Sequence, residues 1–232
     1  MKITVVGATG RIGSRVVEVL RAQGHDVVAS SRSTGVDVLT GAGLADALAG
    51  ADVLVNVTDS PILEGGPAME FFTTSTPKLV EAARRAGVGH FVVLSIVGVD
   101  GLPDSGYYRA KVAQEKIITE SGIPYSIVRA TQFAEFAEAI TDTLTIGDEV
   151  RVPDALIQPI PADEVAAAVA RAAVGEPLKG IVNVGGPQKI TFERLAHDAL
   201  AQKGDDTKTV VVDPEARYFG GKLETDSLVT PE

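Results

Sequence analysis

The sequence predicts a three-layer α/β fold built on a mostly parallel sheet. Two observations carry that expectation. A strand, a glycine-rich turn, a helix and a second strand all fall within residues 2–30, the compact crossover that joins parallel neighbours. The strand–helix rhythm then continues along most of the chain, with strands that are unbroken apolar runs such as VLV at 53–55 and FVVL at 91–94. Unbroken runs mean that both faces of the sheet are covered.

Each element has a local reason. Residues 2–6 form the first buried strand, and Gly7 opens a turn that closes at Gly13. Residues 14–23 place Val16, Val17, Val19 and Leu20 at helical spacing, and Gly24 ends that helix. Residues 26–30 are the second strand, 36–39 a short third strand, 42–48 a short helix and 52–57 the next strand. A helix over 73–86 leads to a strand at 90–95. A helix over 107–121, closed by Gly122 and Pro124, leads to a strand at 125–129. Beyond Arg129 the rhythm loosens, and residues 131–160 scatter Phe133, Phe136, Ile140 and Ile157 among charges and turns. Pro161 then precedes a helix over 162–174, where Asp163 and Glu164 suit the positive end of the helix dipole. A strand at 181–184, a helix from a Thr191 cap to Gln202 and a last strand at 209–212 complete the pattern. Residues 213–232 are polar and weakly patterned. The expectation is a single domain over 1–232, with 131–160 and 185–232 contributing a small substrate cap.

Composition narrows the function. With 45% hydrophobic and 22% charged residues, the chain folds rather than staying disordered. The absence of cysteine excludes disulfides, thiolate nucleophiles and Cys-ligated metals. His25, His90 and His197 form no cluster, and each is expected in a solvated or capping position. A formal net charge of −10 repels nucleic acid and anionic membranes. The opening apolar run is too short for a signal peptide, and no run is long enough to span a bilayer. These features lead us to expect a cytoplasmic protein with no nucleic-acid or membrane partner; the further expectation, of a monomer or homodimer acting on a small-molecule substrate, does not come from composition.

The turn GATGRIG spaces Gly7, Gly10 and Gly13 three apart, directly after the first strand and into the first helix. In that context Gly7 permits a tight turn, Gly10 admits a diphosphate against bare backbone, and Gly13 lets the helix start pack on the strand. This is the phosphate site of a Rossmann fold, in a GxxGxxG variant of the usual spacing. The end of the second strand sets cofactor preference. Instead of an acid for a ribose diol it carries Ser30, Ser31, Arg32 and Ser33. Arg32, joined by Arg11 from the loop, suits a 2′-phosphate, so NADP(H) is the preferred cofactor and NAD(H) the alternative. Asp37 is positioned for the adenine amino group.

A second constellation concerns chemistry. Ser95 ends a strand at the crevice side of the sheet, and Tyr107 and Lys111 stand four apart on one helical face. A lysine ammonium beside the phenol would lower its pKa and hold a nicotinamide ribose. Tyr107 would then exchange a proton with a carbonyl or alcohol, and Ser95 would orient the reacting oxygen. Tyr108 is the alternative hydroxyl if the register differs.

These segments, together with LSIVGVDG at 94–101, YYRAK at 107–111, IPYSIVRATQFAEF at 123–136, IQPIPADEVA at 157–166 and GGPQKITF at 185–192, resemble the short-chain dehydrogenase/reductase superfamily. The closer likeness is to its atypical, NmrA-like NAD(P)-binding branch. The resemblance spans nearly the whole chain and implies a Rossmann sheet of strand order 3-2-1-4-5-6-7. It implies that Gly7, Thr9, Gly10, Arg11, Ile12 and Gly13 line the diphosphate, and that Val57, Thr58 and Asp59 flank the cofactor. Lys111, Ala130 and Thr131 would meet its nicotinamide end, and Gln132, Phe133 and Phe136 would line the substrate pocket. Pro161, Asp163 and Val165 match a structural signature near the cap. One departure stands out: NVTD at 56–59 replaces the family's NNAG-like segment, so the full catalytic tetrad is not evident. The expected function is NADP(H)-dependent hydride transfer to or from a small carbonyl or quinone-like substrate. The alternative is a non-catalytic, NAD(P)-binding redox sensor acting through protein partners. Sugar-nucleotide epimerisation ranks last, because it wants a larger substrate domain.

Overall fold

The computed structural model describes residues 1–231; Glu232, the last residue of the expected cap, lies outside them. The chain begins with β1 (Lys2–Val6), α1 (Arg11–Ala22), β2 (Asp26–Ser30), α2 (Leu44–Leu48), β3 (Val53–Asn56), α3 (Gly65–Ala86), β4 (His90–Ile96), α4 (Gly106–Thr119) and β5 (Tyr125–Ala130). It continues through α5 (Ala137–Thr143), β6 (Thr145–Ile146), β7 (Glu149–Val152), β8 (Leu156–Ile157), α6 (Ala162–Val174) and β9 (Gly180–Val184). The last elements are β10 (Ile190–Thr191), α7 (Phe192–Lys203), β11 (Thr209–Val212), β12 (Arg217–Tyr218) and β13 (Gly221–Lys222).

Six parallel strands form the central sheet in the order β2-β1-β3-β4-β5-β9. Alternate residues of each strand feed opposite layers. Val5, Val55, Val92 and Val128 pack with Val16 and Leu20 of α1 and Val165 and Val169 of α6. Val6, Leu54, Phe91, Val93 and Ile127 pack with Leu48, Leu79, Ala83 and Ile118 of α2, α3 and α4. This is the three-layer Rossmann architecture. Strand order reverses beside β1, which opens a crevice at the carboxyl ends of β1 and β3.

The expected strand order holds except for its third strand. Residues 36–39 are a looped segment, so the sheet has six strands rather than seven. Gly35, Gly41 and Gly43 take φ of +85°, +85° and +73°, which turns the chain on both sides of this short segment. One Asp37 carboxylate oxygen accepts from Leu39 N at 2.7 Å, a local turn that competes with strand pairing. Val36 and Val38 are still buried, as side chains of a loop. Helix α3 starts eight residues before the expected 73, at Gly65. Its early start depends on a close crossing: a Cβ on Gly65 would stand 2.7 Å from Gly106 Cα at the start of α4.

Residues 131–160 and the tail are more ordered than their patterning suggested. β7 pairs with β11 in parallel and with β6 in antiparallel fashion, and β8 pairs with β10. Val150, Val152, Phe192, Leu195, Tyr218, Leu223 and Leu228 bury a third core against Tyr108 and Leu102. His90 also departs from expectation. It is buried, and its Nε2 lies 2.8 Å from the Ser126 hydroxyl. Among the described residues no helix is long and apolar enough to cross a membrane, and no His, Asp and Glu residues cluster as a metal site.

Candidate active site

The glycine turn has the geometry of an anion cradle. Gly7 N and Ala8 N both donate to Ser30 O, at 3.0 and 3.1 Å, which ties the loop to the end of β2. Gly7 has φ +91°, and a Cβ there would stand 2.9 Å from the Val57 carbonyl. A Cβ on Gly13 would stand 2.1 Å from Gly7 O. These positions admit only glycine for reasons of backbone approach. Gly10 is the N-cap of α1; no side chain caps it, and the first turn carries no acidic residue. The start of α1 therefore presents uncapped N–H groups and an uncompensated positive dipole end, which suit a diphosphate. Thr9 is exposed on the loop and Ile12 is buried beneath it.

Arg32 stands on a single helical turn directly after β2, exposed and with no ion pair among the described residues. Ser31 N and the Thr34 hydroxyl bond at 2.9 Å and rigidify that turn. Among the described residues Arg32 is thus an unpaired cation next to the end of β2, to which the glycine loop is tied. Arg11 is placed differently from expectation. Its guanidinium lies 5.1 Å from the centre of the Phe136 ring, so it reaches toward the cap. Phe136 stacks on Phe133 at 5.4 Å. One Asp37 oxygen is committed to its own loop, as described above.

The structure corrects the expected tyrosine–lysine coupling. Lys111 is buried; its Nζ donates to Leu94 O at 2.9 Å and to Gln114 Oε1, and lies 4.6 Å from the Phe72 ring centre. Burial lowers its pKa, with Asp59 and Glu115 opposing that shift. Tyr107 instead donates to Asp59, with both carboxylate oxygens at 2.9 Å. Burial pushes the Tyr107 phenol far up, and the Asp59 carboxylate pushes it the same way. The phenol is therefore held protonated, opposite to the lowering expected from Lys111. Lys111 fails to act on it because its ammonium is taken by a β4 carbonyl and its own helix. Ser95 Oγ is buried without a hydrogen-bond partner among the described residues. Asn56 Oδ1 accepts from Thr58 N and from the Thr58 hydroxyl, which shapes the loop carrying Asp59.

Beyond β5, Ala130 is buried, and the Thr131 hydroxyl donates to Gln158 O. Gln132 Nε2 donates to the Tyr108 hydroxyl at 3.3 Å, and its Oε1 is buried without a partner among the described residues. Gln132 thus joins the Tyr107–Tyr108 side of the site, whereas Phe133 and Phe136 stand by Arg11. A cavity of ≈ 450 Å³ opens beside β9, lined by Gly98, Asp100, Arg129 and Lys189 among others. Arg129 is already bound to Glu115 and Asp100, so this cavity offers no free buried charge.

Sequence reasoning missed the tail. The β12–β13 hairpin puts Phe219 on Tyr107, with ring centres 5.6 Å apart and planes at 29°. Phe219 adopts φ +48° and Gly220 φ +79°, the two left-handed residues of a tight hairpin turn. The dipeptide Gly220-Gly221 after an aromatic pair was the available signal. Gln158 was also missed. It holds Gly186 O and Thr230 N, tying the last residues to the GGP turn at 185–187.

A dinucleotide-binding α/β protein is the class that this loop, crevice and sheet define. The chain belongs to the NAD(P)H-binding family, whose model matches residues 7–175. It is 30% identical over 222 residues to a divinyl chlorophyllide a 8-vinyl-reductase of Oryza sativa subsp. indica, covering 81% of this chain and 55% of that protein. It is 30% identical over 153 residues to a 4-hydroxy-tetrahydrodipicolinate reductase of Natronomonas pharaonis, covering 64% of this chain and 52% of that protein. The photosystem II assembly factor Ycf39 of Synechocystis matches at 24% identity over 149 residues, covering 58% of this chain and 46% of that protein. The chain spans about half the length of these relatives. Among solved structures, the NADPH complex of Escherichia coli quinone oxidoreductase QOR2 superposes with TM-score 0.66 at 24% identity, covering 91% of this chain and 77% of that one. The dTDP-glucose 4,6-dehydratase DesIV of Streptomyces venezuelae does so with TM-score 0.75 at 20% identity, covering 97% and 88%. These structural likenesses speak for the fold.

Proposed function

We propose that this protein is an NADP(H)-dependent oxidoreductase of the short-chain dehydrogenase/reductase type, acting on a small carbonyl or quinone-like substrate. The observation that carries this reading is a backbone cradle that side chains would fill, with the unpaired Arg32 beside it. The glycine loop and the start of α1 hold the diphosphate, and Arg32 takes the 2′-phosphate. The bound dinucleotide supplies or accepts a hydride. Tyr107 is the proton donor at the substrate oxygen, since its phenol is protonated in the free protein. The surrounding Phe72, Tyr108 and Phe219 rings favour a flat, apolar substrate and exclude water. The names of the vinyl-reductase relative and the quinone oxidoreductase neighbour agree with reduction of a conjugated or quinonoid group.

The test is NADPH consumption with a panel of quinones and small dicarbonyls. Wild-type protein consumes NADPH on at least one, and Tyr107→Phe loses about 10²–10⁴-fold in kcat, the usual contribution of a positioned acid. No consumption across the panel refutes the reading. A second reading has one observation in its favour: Lys111 and Ser95 make no bond to Tyr107. On that reading the chain senses the dinucleotide and acts on a partner protein, as an assembly factor would. Cofactor-dependent partner binding without turnover distinguishes it.

A further inference from the structure

We propose that Phe219 is a gate: its ring holds the place on Tyr107 that a flat substrate ring takes, so the β12–β13 hairpin yields before Tyr107 can act. The inference rests on the reductase reading above and narrows its substrates to flat aromatic or quinonoid rings. The Phe219 and Tyr107 rings are 5.6 Å apart with 29° between their planes. Phe72 and Tyr108 meet Tyr107 at 52° and 78°. Phe219 is therefore the one ring of these three that lies nearly parallel to Tyr107, as an offset-stacked flat ligand would. With Phe219 in place Tyr107 is only 8% exposed, and its hydroxyl is bonded to Asp59. The assigned acid is closed off in the free protein.

The hairpin is built to move at its tip and to hold at its base. Among the described residues β12 and β13 pair with each other and with no other strand. Phe219 has φ +48°, a left-handed conformation that bulky side chains rarely adopt. Strain of this kind collects at ligand clamps and switches, and it lowers the cost of releasing the tip. Phe219 is 39% exposed, so the closed position buries only part of its ring. The chain is fixed on both sides of the tip. Tyr218 is buried against Phe192, and Gly221 sits against Leu102 and Ser105 at the start of α4. A flat ring that displaces Phe219 replaces the stack on Tyr107 that the tip loses. An aliphatic dicarbonyl replaces none of it, so the gate selects by shape.

The chain has no cysteine, so an engineered disulfide can pin the hairpin without competing thiols. A Cβ on Gly221 would stand 3.6 Å from Ser105 Cβ, inside the range of about 3.5–4.5 Å that a disulfide spans. Ser105→Cys combined with Gly221→Cys, oxidised with glutathione disulfide, leaves only a two-residue tip between two fixed points. Activity is read as NADPH consumption with duroquinone, whose fully methylated ring resists addition of thiols. The oxidised variant loses about 10-fold or more in kcat/KM and regains it once the disulfide is reduced. NADPH affinity, read by titration, is the same in both redox states, because the hairpin covers the acid and not the glycine cradle. Phe219→Gly raises kcat/KM for duroquinone by about 2–12-fold, the factor that one aromatic stack is worth. Wild type has a higher kcat/KM for duroquinone than for diacetyl. Equal activity in the oxidised and reduced variant overturns the gate and leaves the reductase reading intact. So does a pair of cysteines that will not join, a loss of NADPH binding on oxidation, a lower kcat/KM in Phe219→Gly, or a preference for diacetyl. No NADPH consumption by wild type across the panel of quinones and dicarbonyls overturns both.

Discussion

Replacing Gly13 and Gly10 by alanine separates two jobs that the glycine turn performs. A Cβ on Gly13 meets Gly7 O at 2.1 Å, Gly7 C at 2.7 Å and Ala8 Cα at 2.9 Å, all of them backbone. Gly7 cannot retreat freely, because the Val57 backbone closes on it from the other side. Overpacking of this kind costs about 1–3 kcal/mol, and the helix propensity of alanine returns up to ~1 kcal/mol at this helical position. All three contacts are backbone, so the upper part of that range applies, and a net loss of about 1–3 kcal/mol lowers Tm by roughly 2–12 °C in a chain of this size. Gly10 differs. Its Cβ would stand 3.3 Å from Gly7 O, a contact relieved by a few tenths of an ångström. Gly10→Ala therefore lowers Tm by less, but it puts a methyl where the diphosphate approaches. Thermal unfolding with and without NADPH reads both effects. At 100 times Kd the cofactor stabilises wild type by about 2.7 kcal/mol, or roughly 5–11 °C. Gly13→Ala is the less stable variant without cofactor, and Gly10→Ala loses the cofactor-induced rise. Wild-type stability in Gly13→Ala, or a full NADPH-induced rise in Gly10→Ala, would refute the reasoning.

Three further outcomes follow from other contacts. Arg32→Ser weakens NADPH binding by about 10–150-fold, the equivalent of one charge-assisted contact, and leaves NADH unchanged in a titration of nicotinamide fluorescence. Equal losses for both cofactors contradict the 2′-phosphate assignment. Burial lowers the His90 pKa, with Glu176 opposing, so its contribution is present above the unfolded value of about 6.5 and is lost as pH falls through the folded value. Denaturant unfolding should show stability dropping below about pH 6.5 in wild type, and a flatter dependence in His90→Gln. Phe219→Gly relieves about 1–2 kcal/mol of left-handed backbone strain while it removes stacking worth about 0.5–1.5 kcal/mol. The unfolding midpoint should therefore move little, and a loss above ~3 kcal/mol would mean that the hairpin carries more of the fold than these terms allow.

The central sheet was legible because its signals are local and repeated. Apolar runs such as residues 91–94 have helices on both faces, and α1 and α6 show clear spacing at Val16, Leu20, Val165 and Val169. The glycine turn was legible because the sequence spacing and the backbone approach concern the same few residues. Residues 36–39 misled because two valines in a run of four look like a strand, while three left-handed glycines around them decide the path. The cap was hidden because strands of two to four residues carry almost no periodicity and pair with distant partners, as β7 does with β11. The tyrosine–lysine spacing was read correctly as a shared helix, but spacing alone does not say which acceptor a lysine finds. Leu94 O took Lys111, and Asp59, which follows a different strand, took Tyr107. Phe219 lies more than a hundred residues from Tyr107 in the chain, a separation that no local pattern reports.

Isothermal titration of the intact protein with NADPH and with NADH bears on the account most directly, because the cradle and the acid both presuppose a bound nicotinamide dinucleotide. Saturable binding of both, tighter for NADPH, is the predicted result. Folded protein that takes up neither at millimolar concentration would contradict it.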